Sequence, residues 1–304
     1  MRAEVEMLWE FHQRRLDVGT PSERLMDRVA FSEHAPFRLV SCTSCGLIYR
    51  NPTERQHELA EIYARKAPAP DTLQSLHETQ RSAVRAQAAE LRRVMGHGGS
   101  VLEVGSYVGA FLAAAKHEGF AAEGVDVNAE VNRFTRSLGF AVHDGQLDAA
   151  AFDHEFDALA IWNTFDQLPD PRGTLREAAS LVRANGVLAL RMPNGDFYRT
   201  TRRRLVSGSR LARAASREAL AQNNLLGFPY RWGFTPRALR VLLSESGFDI
   251  VRIRGDVLVP IADEWTRAWA RVEEIGVKAA MRVVARLRPA TAPWIEIYAR
   301  RRSG

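Results

Sequence analysis

A chain of 304 residues with 46% hydrophobic composition can bury a sizeable core, as one large domain or as a core with smaller additions. No run approaches the roughly 18 apolar residues of a membrane-spanning helix, and the mixed-charge opening Met1-Arg2-Ala3-Glu4-Val5-Glu6 lacks a signal peptide's apolar middle, so a cytoplasmic protein is expected. The net charge of +6 is unevenly placed: residues 191–304 hold 22 Lys+Arg against 10 Asp+Glu, while residues 1–190 hold 20 against 26.

Residues 1–95 read as a helical N-terminal cap, with helical stretches around a turn at 42–52 and a helix over 77–95. That turn carries the only cysteines, Cys42 and Cys45, too few and too close for a disulfide framework. From residue 100 onward, short β-branched runs alternate with helical stretches, the pattern of βαβ units in a mostly parallel sheet. The expected strands are 101–105, 122–127, 140–144, 157–162, 186–192, 248–254 and 294–300. Gly119-Phe120, Gly139-Phe140 and Gly247-Phe248 mark places where a glycine ends a helix before an apolar residue opens a strand. Asp170-Pro171 and Thr235-Pro236 are helix-start signals, predicting helices over 171–183 and 236–246.

The strongest local signal is Val101-Leu102-Glu103-Val104-Gly105-Ser106-Tyr107-Val108-Gly109, an apolar strand running into a glycine turn and a helix. In doubly wound sheets ligands bind beyond the carboxyl ends of the strands, where glycine lets backbone approach closely and a helix start presents free N–H groups. A dinucleotide fingerprint needs glycine where Tyr107 stands, and Glu103 would repel a pyrophosphate, which disfavours a nicotinamide-dependent oxidoreductase. A cationic, phosphate-free ligand suits an acidic strand end better. Asp126 ends the second strand 21 residues after Gly105, where a carboxylate accepts hydrogen bonds from ribose hydroxyls.

Glu103-Val104-Gly105 with Gly109, then Gly124-Val125-Asp126, then the run from Trp162-Asn163-Thr164-Phe165 to Asp170-Pro171, then Met192-Pro193-Asn194, resemble the motifs of class I S-adenosylmethionine-dependent methyltransferases in their usual order. The resemblance implies an α/β, Rossmann-like fold with a seven-stranded, mostly parallel sheet and an antiparallel last strand. It also implies S-adenosylmethionine as cofactor, with Glu103, Gly105, Ser106, Tyr107 and Gly109 around its methionine part. Asp126, followed by Val127, would hold the ribose. Gly145, Gln146, Leu147 and Asp148 would lie near the adenine, and Asn163 and Phe165 would close the pocket near the sulfonium. Two departures stand out: Tyr107 replaces a glycine common in the donor loop, and Gln167 stands where many relatives carry Glu-His. The second leaves the general base unassigned, with Asp166, Tyr198 and Tyr230 as candidates.

The Cys42-Thr43-Ser44-Cys45-Gly46 turn resembles the second half of a four-cysteine zinc module that precedes some methyltransferase domains. Its first half is missing. Closed zinc sites take four ligands, and only unpaired candidates such as His34 and His57 accompany the two thiols, so a metal-free remnant is expected and no metal is assigned.

The linear order is thus a cap at 1–95, a donor-binding core at 96–195, an arginine-rich insertion at 196–234 and the C-terminal part of the sheet at 235–304. Arg202, Arg203, Arg204, Arg210, Arg213 and Arg217 crowd the insertion, which makes it either a solvated helix face or a site for a phosphorylated or nucleotide-linked acceptor. The basic charge comes without aromatic stacking platforms, which disfavours nucleic acid. Over 264–287, Trp265, Trp269, Val272, Ile275, Gly276, Ala279, Val283 and Leu287 form one helical stripe, read first as a face docked on the body or a partner subunit and second as a membrane-surface helix. The expected function is methyl transfer to a small-molecule acceptor, the alternative being a catalytically inactive donor-binding protein with an assembly or regulatory role. The oligomeric state is not legible.

Overall fold

Strands gather in the order β5-β4-β3-β6-β7-β10-β9 in a computed structural model that describes residues 2–20, 37–53, 68–259 and 265–303. They are β3 (Gly99–Val104), β4 (Phe120–Asp126), β5 (Ala141–Asp144), β6 (Phe156–Trp162), β7 (Val182–Pro193), β9 (Phe248–Asp256) and β10 (Trp294–Arg301). Pairing is parallel from β5 through β7, and the antiparallel element enters at β10 and β9, as expected. The chain leaves β3 toward β4 on one side and returns to β6 on the other. This reversal is a topological switch point, the place where doubly wound sheets bind ligands.

The helices follow the capping signals. Asp170 accepts from Gly173 N at 2.9 Å ahead of α6 (Pro171–Leu181), and Thr235 Oγ1 accepts from Ala238 N at 3.1 Å ahead of α9 (Pro236–Glu245). Ala110–His117 forms α4 and Ala129–Ser137 forms α5. The helix expected over 77–95 is two, α2 (Pro70–Ala83) and α3 (Arg85–Met95), divided at Val84. The strand expected from 186 begins at Val182, because Asn185 takes a left-handed φ of +64° and a register shift lets Val182 pair with Phe156, both fully buried.

The described residues form two compact units, one of residues 1–53, 192–239 and 254–296, the other of residues 54–191, 240–253 and 297–304. The second is built on the β3-β4-β6-β7 part of the sheet, with Leu91, Val101, Phe111, Phe120, Ala158 and Tyr298 in its core. In the first, the cysteine turn is a hairpin, β1 (Arg38–Ser41) and β2 (Ile48–Asn51), completed by β8 (Trp232–Gly233) from the insertion. Around it Leu8 and Phe11 of α1 (Arg2–Arg15) pack with Ile48, Tyr198, Leu225 and Phe228. The insertion itself is α7 (Gly195–Ser207) and α8 (Arg210–Ala221).

The stripe on α10 (Ala268–Leu287) is not docked on the body: Val272 is 72% exposed and Leu287 77%, while Glu274 and Lys278 of the same helix are buried. The polar pair satisfies itself, Lys278 Nζ lying 2.5 Å from Glu274 Oε1 and 2.7 Å from the Val259 carbonyl. A buried ion pair with its hydrogen bonds met can therefore occupy the inward face that apolar periodicity assigns to valine and leucine.

Candidate functional site

At the switch point, Gly124, Glu103, Ala160 and Ala189 stand in register across β4, β3, β6 and β7. Registered residues of neighbouring parallel strands share a face, so the Glu103 carboxylate is flanked on both sides by residues with little or no side chain. Glu103 is 5% exposed, and its Oε2 has no hydrogen-bond partner among the described residues; Ser106 Oγ and Trp162 Nε1 are in the same condition. Burial, and then the neighbouring charge of Asp126, push the Glu103 carboxyl well above the usual carboxylate range.

Above this carboxylate the chain turns on two glycines. Gly105 has φ +77°, and a Cβ there would lie 2.7 Å from Thr164 Oγ1; Gly109 has φ +69°, and a Cβ there would lie 2.6 Å from Thr135 Cγ2. Between them Tyr107 adopts φ +44°, unusual for a bulky residue. It is held by its N–H donating to Asp126 Oδ2 at 3.0 Å and its carbonyl accepting from Thr135 Oγ1 at 2.7 Å. Its ring packs against the cluster of Leu73, Val108 and Val131.

Asp126 ends β4 half-buried, and its Oδ1 accepts from Asn128 N at 3.0 Å. Each carboxylate oxygen thus takes one backbone N–H and keeps capacity for another donor. The Asp126 carbonyl accepts from Gly145 N at 2.9 Å and from Asn132 Nδ2 at 2.8 Å, which fastens the end of β4 to the loop after β5. The structure therefore brings Glu103, Gly105, Ser106, Tyr107, Gly109, Asp126 and Gly145 together. Val127 follows at 41% exposure, a large apolar side chain left in solvent beside that loop.

Gln146 and Asp148 are exposed and Leu147 half-buried. Asp148 Oδ1 accepts from Ala150 N at 2.9 Å and caps the single turn over Ala149–Ala151, so capping is the role the structure gives it. Asn163 is exposed with φ +59°; its N–H donates to the Arg191 carbonyl at 2.9 Å, and the Arg191 guanidinium donates to its side-chain oxygen. Gln167 Nε2 donates to the Asn163 carbonyl at 2.7 Å, holding this loop closed on itself. Phe165 is fully buried. The close approach of Thr164 to Gly105 sets this loop beside the glycine turn.

Sequence reasoning missed Asn128, Asn132 and Thr135, which hold Asp126 and Tyr107 in place. Asn128 also caps α5, accepting from Glu130 N and Val131 N at 3.1 Å, and an asparagine just before a helical stretch was a legible signal for it. Asn132 is buried and donates to Asp144 at 2.7 Å; with Arg136 it holds the Asp144 carboxyl below its ordinary range. Of the base candidates, Asp166 is 1% exposed, Tyr198 packs its ring on Phe228 at 4.9 Å, and Tyr230 donates to the Asn224 carbonyl at 2.8 Å.

In the other unit, the β1–β2 turn closes through Cys42 N to the Leu47 carbonyl at 2.8 Å and Gly46 N to the Cys42 carbonyl at 2.9 Å. Cys42 Sγ lies 3.0 Å from Ser44 Oγ, and hydrogen bonds from Ser44 and the local backbone draw its thiol down to about 6. Among the described residues no group of three His, Cys, Asp or Glu could hold a metal ion. His34 and His57 lie outside the described residues.

A sequence family described as a methyltransferase domain matches residues 54–253, the same outer limits as the first two segments of the unit that carries Glu103 and Asp126. The chain belongs to this methyltransferase family. It is an enzyme of the class I type whose methyl donor is S-adenosylmethionine. Among solved structures it is similar to an S-adenosylmethionine-dependent methyltransferase from Archaeoglobus fulgidus, at 20% identity over 81% of this chain and 100% of that one, with TM-score 0.47. It is also similar to the plantazolicin methyltransferase BamL, solved with a triazolic desmethyl analogue of plantazolicin and S-adenosylhomocysteine, at 13% identity over 81% and 95% of the two chains, with TM-score 0.49. A third is a methyltransferase from Mesorhizobium loti, at 15% identity over 67% and 91%, with TM-score 0.43. No curated protein matches the chain. No helix among the described residues of this methyltransferase is long and apolar enough to cross a membrane.

Proposed function

We propose that this methyltransferase holds its donor at the switch point, with Glu103 and Asp126 as its two carboxylate contacts, and delivers the methyl group to a small anionic acceptor. The observation that carries the reading is Glu103: a carboxylate buried among small residues, with an oxygen left without a partner, fits a ligand that brings a cation. S-adenosylmethionine brings an ammonium group and supplies an electrophilic methyl carbon on a sulfonium. Around it the chain's own part is to bind and align. Glu103 meets the ammonium, the turn Gly105–Gly109 leaves room for backbone approach, Asp126 accepts from the ribose hydroxyls, and Val127 offers an apolar surface to the adenine. Gly145, Gln146, Leu147 and Asp148 border the base, and Asn163 and Phe165 border the sulfonium. Orientation alone carries large rate factors, with effective molarities on the order of 10⁵ M in well-aligned reactions.

The acceptor class rests on charge. Arg203, Arg204, Arg210 and Arg213 are exposed on α7 and α8, and such a field raises the local concentration of anions. The cytoplasm, where small anionic metabolites abound, is the expected compartment. Calorimetry with S-adenosylmethionine, S-adenosylhomocysteine and NADH, on the wild type and Asp126→Ala, tests the donor site. Binding of both sulfur ligands, none of NADH, and a loss of about 100-fold in the variant are expected, two charge-assisted hydrogen bonds each contributing roughly 1.5 kcal/mol. Undiminished affinity in Asp126→Ala would remove Asp126 from the site. Donor binding without transfer to any acceptor in a broad anionic panel would favour the non-catalytic alternative instead.

A further inference from the structure

The helix α10 presents its chemistry the wrong way round for a helix that only packs on its own unit. Its exposed side carries Val272, Ile275, Val283 and Leu287 at 72%, 59%, 57% and 77% exposure, with Trp269 and Val284 about half exposed. Gly276, Ala279 and Ala280 fill the spaces between them, also exposed. At 100° per residue these positions make one continuous strip along a 20-residue helix, about 30 Å long. Isolated exposed apolar residues are ordinary on a protein surface; a strip of this extent marks an interaction face.

The charges decide what the strip meets. Of the two acidic residues of α10, Glu274 pairs with Lys278 in the buried face, while Glu273, half-buried at the edge of the strip, pairs with Arg15. Every other charged residue on the helix is an arginine. Arg271 and Arg282 run along one flank of the strip, Arg286 stands between Ile275 and Ala279 within it, and Arg267, beside Asp17, and Arg288 stand at its ends. An apolar strip edged by arginines, whose one half-buried acid, Glu273, is neutralised by Arg15, complements an anionic lipid surface, the valines and leucine entering the acyl boundary while guanidinium groups meet phosphates. A second copy packed antiparallel across the strip would instead set arginine against arginine.

We propose that α10 lies in the plane of an anionic membrane surface and docks the methyltransferase there, independently of how the donor is held. Flotation of the full chain with phosphatidylcholine vesicles, and with the same vesicles doped with phosphatidylglycerol, reads the interaction directly. Partitioning at least tenfold stronger onto the anionic vesicles is expected. It should fall about fivefold in Arg286→Gln, the effect of one cation near the surface, and be lost in the double variant Val272→Ser with Leu287→Ser. These three side chains are exposed, so thermal unfolding followed by circular dichroism should match the wild type and exclude a folding defect. Equal partitioning onto both vesicle types, or none by the folded protein, would overturn the proposal. So would sedimentation showing a dimer that the double serine variant dissociates, which would assign the strip to a second copy.

Discussion

Four glutamates are buried among the described residues, and they divide into two kinds. Glu90 pairs with Arg93 and with Arg252 at 2.6 Å, Glu296 with Arg254 at 3.1 Å, and Glu274 with Lys278 at 2.5 Å. Among the described residues Glu103 has no ion-pair partner, and the charge that acts on it, that of Asp126, has the same sign. Burying an unpaired carboxylate costs several kcal/mol unless it takes up a proton. The three paired glutamates bring their counter-charge with the fold, whereas among the described residues Glu103 has none. The ammonium of Lys278 shows the other side of the contrast. Burial pulls it down to about 8, against the opposing pull of the Glu274 carboxylate.

The largest test of this contrast is Lys278→Met. Removing the cation from a buried pair should cost about 3–5 kcal/mol of stability in urea unfolding, with donor affinity per mole of folded protein unchanged. A loss below about 1 kcal/mol would mean that Glu274 is not held as the geometry describes. Next is Glu103→Gln, which keeps the shape and removes the charge. Calorimetric affinity for S-adenosylmethionine should drop about 30- to 100-fold, a charge-assisted hydrogen bond of about 2–3 kcal/mol, while the ligand-free protein becomes more stable at neutral pH. If stability fell instead, Glu103 would be a structural residue like the other three.

The same residue predicts a pH dependence. Its carboxyl is raised in the folded chain, so between the ordinary carboxylate range and the raised value the folded state binds more protons than the unfolded state. Stability must then decline as pH rises through that window. Glu103→Gln should lack this component of the decline, and binding of the cationic donor should strengthen over the same rise. Urea titrations from about pH 5 to about pH 8, with and without S-adenosylhomocysteine, measure both. Asp126→Asn should weaken donor binding by about tenfold, one charge-assisted bond. The smallest effect is expected for Tyr107→Gly, where relief of the φ of +44° is offset by lost packing on Leu73, Val108 and Val131, leaving a net change within about 1 kcal/mol.

What the sequence made legible was local. The strand into Gly105, the caps Asp170 and Thr235, and the acid ending β4 each announce themselves within a few residues, because turn and cap chemistry is decided by neighbours in the chain. Glu103, too, could be read as a poor neighbour for phosphate, although its want of a partner could not. That property depends on Gly124, Ala160 and Ala189 arriving beside it from three other strands. The hairpin at 38–51 was hidden for the same reason, its third strand coming from Trp232-Gly233. Periodicity found the apolar stripe of α10 and read it first as a face docked on the body or a partner subunit; that the body is not what it docks on could not be seen, since a sequence pattern cannot show that Glu274 and Lys278 satisfy each other, with Val259, in the buried face.

The three-stranded sheet β1-β2-β8 also sets an order of events during synthesis. Arg50 Nε reaches the Pro229 carbonyl at 2.5 Å across 179 residues of chain, and Ile48 finds its core among Leu220, Leu225 and Phe228. At about 5–20 residues per second on the ribosome, the first segment of the protein waits roughly 10 to 40 s for the partners that complete its core. Throughout that interval Leu8, Phe11 and Ile48 lack Tyr198, Leu225 and Phe228, the part of their core that the insertion supplies, and slow translation between residues 51 and 229 would lengthen that exposure.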